Sequence, residues 1–368
     1  MTFVAERLDD QSHLTEGDPG RMLLAVAASA AQVRTGHRAA LEAGVERLSS
    51  LGRPRAIVIV GMGGSAIAGD ILAAVAGHGA PLPIITVRSY RLPGWVGATD
   101  LVIAVSCSGA TEETLSAATE AVRRGCAFVA VGQADSPLEA IARQASGLFV
   151  PVPATGQPRA NVWLLTIPLI SAAAALGLLQ ADEALYENVA KSLEDIAHRC
   201  RPSSESFINP GKTLAAELAE SVPMIWGSSQ VASVAGYRLA CQLNENAKYP
   251  AIFGDLPEAN HNQVVALDGP LAERDIFADD AARTLRLVML RDVDEHPQVA
   301  KRREASVRLA HDRGVPVTEL SADGVHPLER MASLIGLGDF ATTYLALGYD
   351  IDPTPVTAIT ELKARISQ

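Results

Sequence analysis

Aromatic residues are scarce: three Trp, six Tyr and seven Phe make up 4% of 368 residues, although 48% of the chain is hydrophobic. A core without many large rings has to be built by packing Ala, Val, Leu and Ile closely, which favours helices laid on parallel sheets. Cysteine is equally sparse. Cys107, Cys126, Cys200 and Cys241 form no C-x-x-C pair and no regular framework, so the pattern fits a reducing compartment rather than a disulfide scaffold. Positive charge is in deficit, with 31 Lys and Arg against 42 Asp and Glu and a net charge of −11. The acids are scattered, so bulk attraction to nucleic acid or to an anionic membrane is disfavoured and an anionic ligand needs a local site.

Other absences narrow the chemistry. The eight histidines show neither H-x-H nor H-E-x-x-H spacing, so no metal site is expected. There is no G-x-S-x-G elbow and no Walker lysine, and residues 1–50 are not basic and carry no helix-turn-helix signature. The opening MTFVAERLDD has early acids and no apolar centre, unlike a secretory signal, so a cytoplasmic location is expected. One uncharged run, 160–181, reaches the length of a membrane span. It is Ala-rich, is interrupted by Asn161, Pro168 and Ser171, and lacks basic or aromatic flanks, so it is read as a helix buried between domains or subunits.

What is present is a rhythm of short β-rich runs and Ala/Leu-rich amphipathic stretches, repeated twice. The first set of strands is expected at 56–61, 83–88, 101–106, 127–132 and 148–153, with helices at 112–124 and 138–144. The second is expected at 222–227, 264–267, 285–291 and 315–320, followed by helices at 328–347 and 355–366. The fold class is therefore α/β, with two doubly wound parallel sheets flanked by helices and a C-terminal helix. The expected division is an N-terminal helical segment (1–50), a first sheet domain (51–155), a helical linker (156–210), a second sheet domain (211–330) and C-terminal helices (331–368). A weak internal echo supports duplication: G-M-G-G-S follows the strand at 61–65, and G-S-S follows another at 227–229.

Two turns carry the candidate chemistry. In G-M-G-G-S, Gly63 and Gly64 let the backbone approach a ligand, and the helix opened by Ser65 presents free N–H groups to an anion. In S-C-S-G-A-T, the hydroxyls of Ser106, Ser108 and Thr111 stand at the carboxyl end of a parallel strand and can donate to a phosphate. Helix capping by Ser108 or Thr111 is an equally local use of the same residues. A dinucleotide site fits less well, because the strand after the glycine turn ends in Arg88-Ser89-Tyr90, with no acid for a ribose. A small phosphorylated substrate is the better match.

These hydroxyls resemble the phosphosugar loop of the SIS (sugar isomerase) fold. With N-E-N-A-K at 244–248, P-E-A-N-H-N at 257–262 and D-P-T-P-V before E-L-K at Lys363, the chain resembles the bifunctional phosphoglucose/phosphomannose isomerase family from about Arg55 onward. Glu245 and His261, sixteen residues apart, are the most specific match. The resemblance implies two SIS domains and a metal-free, cofactor-free aldose–ketose isomerase acting on a hexose 6-phosphate. Ser65, Ser106, Ser108 and Thr111 would hold the phosphate and Arg159 would stabilise developing negative charge. Glu245 would be the base, His261 would open the ring and Lys363 would lie near the reacting oxygens. It also implies a homodimer in which His261 reaches a neighbouring subunit's site.

The chemistry asks independently for such a set: a carboxylate to move a proton between C1 and C2, an acid/base for the hemiacetal and a cation by the enediolate oxygen. Each residue also has an ordinary reading, with Glu245 and Lys248 as an exposed helix pair, His261 as a loop histidine and Lys363 as a helix-terminal lysine. Cys107 and Ala110 stand where relatives commonly carry Tyr and Asn. That departure feeds the alternative of a catalytically silent SIS protein that binds a phosphosugar as a sensor or scaffold. Thr354 and Thr357 are candidates for reading the C2 hydroxyl.

Overall fold

Two short helices, α1 (Gln11–Glu16) and α2 (Met22–Ala27), open the chain, and α3 (Ser29–Ala43) follows. A doubly wound segment comes next: β1 (Ile57–Val60), α4 (Gly64–Ala76), β2 (Ile84–Val87), β3 (Leu101–Ser106), α5 (Glu112–Arg123), β4 (Ala127–Gly132), α6 (Pro137–Gln144) and β5 (Leu148–Pro151). The computed structural model describes residues 2–153, 155–272 and 284–366. All strands of this sheet are parallel, in the order β2-β1-β3-β4-β5. The central strands β1 and β3 are buried along their whole length, which is why they read in sequence as unbroken apolar runs. Val58, Val60, Val102 and Ala104 join Ala117, Ala118 and Ala121 of α5 in one small-residue core.

Helix α7 (Val162–Ala175) lies within the uncharged run, and every residue from Val162 to Ala173 is buried. It packs against α3 and α4 inside the same compact unit, Ala27–Glu194 with Val325–Glu329. The expectation of a helix between domains or subunits is corrected accordingly. A helix apolar all round needs neighbours on every side, and the α3 and α4 faces supply them.

At the amino end of this sheet Arg55 donates through Nε (2.9 Å) and Nη2 (2.6 Å) to the carboxylate of Asp100, which is buried and also accepts from the Gly97 N–H at 2.8 Å. The Arg55 bond, chiefly, holds the Asp100 carboxyl below its usual value of 3.8. A depressed carboxylate stabilises the fold above the unfolded pKa and loses that contribution as pH falls through the folded one. Asp100→Asn is therefore expected to lower the melting temperature at pH 7, with the gap from wild type closing as pH drops below 3.8. A gap independent of pH would show that packing, not charge, is at issue.

Helices α8 (Glu183–Arg199) and α9 (Pro210–Leu218) lead to a second parallel sheet. Its elements are β6 (Ser221–Gly227), α10 (Gln230–Asn246), β7 (Ile252–Asp255), β8 (Thr284–Arg291), α11 (Pro297–Asp312) and β9 (Val317–Ser321), with strand order β7-β6-β8-β9. Helices α12 (Pro327–Gly348) and α13 (Thr357–Ile366) close the chain. By length and composition α12 could cross a membrane, but 89% of its apolar window is buried in the fold, as a core helix should be.

The strand expected at 264–267 is not one. Gln263–Asp268 forms a 3-10 turn, and β7 takes the place beside β6. The side chain of Gln263 fixes this turn, accepting from Trp226 Nε1 at 2.7 Å and donating to the Phe253 carbonyl at 2.8 Å. Val265 is then exposed while Leu267 is buried. A four-residue apolar run does not distinguish strand from helical turn.

The compact unit that holds this sheet comprises Met1–Val26, Asp195–Gly324 and Arg330–Gln368. Its N-terminal segment is held by Lys212, fully buried, whose Nζ donates to Asp9 Oδ1 (3.1 Å) and to the carbonyls of Pro202 (2.8 Å) and Ser204 (2.7 Å).

Candidate active site

In a parallel sheet ordered 2-1-3-4-5 the connections leave β1 and β3 in opposite directions, opening a crevice at their carboxyl ends. The two candidate turns occupy that crevice. Gly61 brings them close, since a Cβ there would meet the Val105 carbonyl oxygen at 3.0 Å. Gly63 has φ +53° and ψ −130°, a conformation open essentially to glycine alone, and it caps α4 without a side-chain hydrogen bond.

Of the hydroxyls, Ser106 and Thr111 pair with each other, and Ser65 and Ser108 each bond the backbone of the loop. Ser65 Oγ accepts from the Cys107 N–H at 3.3 Å, Ser106 Oγ lies 3.0 Å from Thr111 Oγ1, and Ser108 Oγ accepts from the Ala110 N–H at 3.3 Å. Thr111 stands at the N-cap of α5 but its side chain makes no cap bond, so the capping alternative does not describe this helix. Helix α6, by contrast, is capped by Ser136, whose Oγ accepts from the Glu139 N–H. Cys107 packs beneath the loop, and burial pushes its thiol up to about 11, so it stays neutral.

Arg159 joins this group. It sits in a 3-10 turn, Pro158–Asn161, whose backbone is held by Asn161 Nδ2 on the Thr155 and Gln157 carbonyls and by Gln32 Nε2 on the Ala160 carbonyl. A Cβ on Gly64 would lie 3.6 Å from Arg159 Cα, so the turn and the glycine loop are in contact. The guanidinium is buried and donates through Nη1 to Gln157 Oε1 at 3.1 Å. Gln157 was not singled out from sequence; its position two residues before the arginine is the only local clue.

Glu245, His261 and Lys363 belong to the second sheet's unit. Glu245 is half-buried in the last turn of α10. That helix is fixed on its inner face by buried polar side chains: Arg238 donates to Asp339 through Nε (3.0 Å) and Nη2 (2.6 Å), and Asn246 Nδ2 donates to Thr342 Oγ1 at 3.0 Å. His261 is exposed at the end of the 3-10 turn Glu258–His261, and Lys363 is exposed on α13, which has no buried residue. Among the described residues, no three His, Cys, Asp or Glu side chains converge as a metal site requires.

The echo between the two sheets ends in different chemistry. At the β6/β8 switch point Ser229 caps α10, and its Oγ also donates to Asp292 Oδ2 at 2.9 Å. Asp292 is buried and pairs with Arg330 Nε at 2.7 Å. Beside it, burial works to raise the Glu295 carboxyl, but hydrogen bonds from Arg303 and Ser228 outweigh it and the net shift is downward. The place corresponding to the first sheet's open turns is thus filled by the chain's own carboxylates. At the first switch point Gly63 and Ser108 are exposed, while Ser65, Ser106 and Arg159 are buried.

A doubly wound parallel sheet built twice, with hydroxyl-bearing turns at the first switch point, is the architecture of the SIS class of phosphosugar proteins. Residues 207–366 match the family model described as the bacterial phospho-glucose isomerase C-terminal SIS domain. A bifunctional phosphoglucose/phosphomannose isomerase of Caldicellulosiruptor bescii is 35% identical over 312 residues, covering 85% of this chain and 89% of the relative. Its counterpart in Thermoplasma acidophilum is 32% identical, covering 84% and 89%. A solved tagatose-6-phosphate ketose/aldose isomerase from Escherichia coli superposes with a TM-score of 0.66 at 15% identity, covering 90% of this chain and 94% of that one, which speaks for the fold alone. The chain belongs to the bifunctional phosphoglucose/phosphomannose isomerase family.

Proposed function

We propose that the protein is an aldose–ketose isomerase that interconverts glucose 6-phosphate and mannose 6-phosphate with fructose 6-phosphate through an enediol. The observation that carries this reading is the convergence of Ser65, Ser106, Ser108 and Thr111 with the Gly63-Gly64 backbone beside Arg159. Neutral O–H and N–H donors next to one buried guanidinium suit a phosphate ester whose sugar carries charge only in passing. The relatives are named for both sugars, and the two aldoses differ only at C2 and share one enediol, so a single base serves both provided the site tolerates either C2 configuration.

In this mechanism His261 assists opening of the hemiacetal. Glu245 removes the C2 proton to give the enediolate, the O2 hydroxyl proton passes to O1, and returning the first proton to C1 gives the ketose. Arg159 and Lys363 stabilise the enediolate oxygens, so side chains fill every role without a metal or cofactor. Binding energy from the non-reacting phosphate holds C1 and C2 in place for the transfer. The protein works as a cytoplasmic homodimer in which His261 serves the neighbouring subunit's site, a point that light scattering and hybrid dimers of Glu245→Gln with His261→Ala subunits can test.

The primary experiment is a coupled assay of chelator-treated protein with both aldose phosphates, alongside calorimetric binding. Turnover of both sugars is expected to survive the chelator. Ser108→Ala with Thr111→Val is expected to raise KM roughly 10²- to 10⁴-fold, as two hydrogen bonds to a charged group are lost. Binding without turnover would point to the sensor or scaffold role, and no binding of either sugar would refute the proposal.

A further inference from the structure

We infer that Lys248 is a positioning residue for the isomerisation, its ammonium fastening the last turn of α10, where Glu245 sits, to the backbone segment that leads into α13. This rests on the reading of Glu245 as the base. Lys248 lies just beyond the end of α10 with φ +55°, a left-handed conformation that glycine or asparagine adopts at less cost after a helix. What a lysine offers there is its reach. Nζ turns back to the carbonyl oxygens of Glu245 (3.0 Å) and Asn246 (3.1 Å), and also meets those of Asp352 (3.2 Å) and Pro353 (3.3 Å).

The first pair are terminal helix carbonyls with no intrahelical donor, at the negative end of the helix dipole, where a cation is favoured. The second pair belong to the D-P-T-P-V segment, whose next residue, Thr354, donates its N–H to Asp352 Oδ1 at 2.8 Å. One ammonium thus joins the main chain of the base to the segment that precedes Lys363. On the inner side the same turn is already fixed by Asn246 on Thr342. On the outer side Lys248 restrains it against fraying, and a carboxylate that moves a proton between adjacent carbons depends on placement within a fraction of an ångström.

Lys248→Gly separates positioning from folding, because glycine accepts the left-handed backbone while removing the ammonium. The expected result is a melting temperature unchanged or raised, kcat for both aldose phosphates lowered about tenfold, and KM within about twofold of wild type. Lys248→Arg, which can still reach the carbonyls, is expected to recover most of kcat. The inference is overturned if the glycine variant keeps wild-type kcat. It is equally overturned if kcat and melting temperature fall together in both variants, which would make Lys248 a stabilising cap and no more. Glu245→Gln is assayed in parallel: if that variant stays active the base is misassigned and this inference goes with it, whereas an inactive Glu245→Gln beside a fully active Lys248→Gly removes Lys248 alone.

Discussion

Glu245→Gln is expected to lower kcat by about 10²- to 10⁴-fold, the contribution of a positioned general base, while leaving sugar phosphate binding nearly intact. The amide keeps the size and shape of the carboxylate but cannot take the C2 proton. Binding should persist because the hydroxyls of Ser65, Ser106, Ser108 and Thr111 lie on other elements, at the carboxyl ends of β1 and β3. The fold should persist as well, since α10 is held by the inward contacts of Arg238 and Asn246 rather than by this half-buried side chain. Calorimetry and the coupled assay together distinguish three results. Lost turnover with retained binding supports the base. Loss of both makes Glu245 a substrate anchor, and wild-type turnover moves the base elsewhere.

The largest effect on stability is expected at Asp339. Its carboxylate is buried with Arg238, and burial pushes its pKa up even though Arg238 and Gln242 oppose the shift. Asp339→Ala would leave a guanidinium without its partner in the core, and the cost for breaking a buried pair in this way is about 3–5 kcal/mol. Removing both charges is a different matter. Arg238→Met with Asp339→Leu is expected to be near neutral, or even stabilising by about 1–4 kcal/mol, since the desolvation penalty of both ions disappears. Urea unfolding of Arg238→Met, Asp339→Leu and the double variant closes the cycle, with Asp339→Ala measured alongside. If Asp339→Ala costs no more than an ordinary surface change, the pair does not hold α10. If the double variant is stable yet slow, the pair serves the placement of Glu245 rather than the fold.

Legibility in the sequence followed burial. Strands β1, β3 and β4 lie in the middle of a parallel sheet, so their apolar runs marked them almost to the residue. β7 was missed because I-F-G-D carries a glycine and an acid and little else that favours a strand, while the more hydrophobic run after it was taken up by a turn around Gln263. The two turns were legible as turns because glycine and serine clusters mark the carboxyl end of a strand locally, whatever ligand they meet. Lys248 was visible only as the partner of an exposed helix pair, since its acceptors at Asp352 and Pro353 are over a hundred residues away.

The sequence by itself determined the class of fold and the position of most strands, and it nominated the residues proposed to hold a phosphate and to act as the base, because each depends on patterns within a few residues or on motifs met in order. Only the tertiary structure decided what the second of two similar turns meets. Ser228 and Ser229 echo the first glycine turn in sequence, yet in the fold they bond Asp292 and Glu295, with Arg330 and Arg303 as the counter-charges. Only the fold joined Asp9 to Lys212 and the end of α10 to the Asp352–Pro353 segment. Such pairings are set when distant segments pack and their buried polar groups must find partners, and no local pattern records which partner each will find.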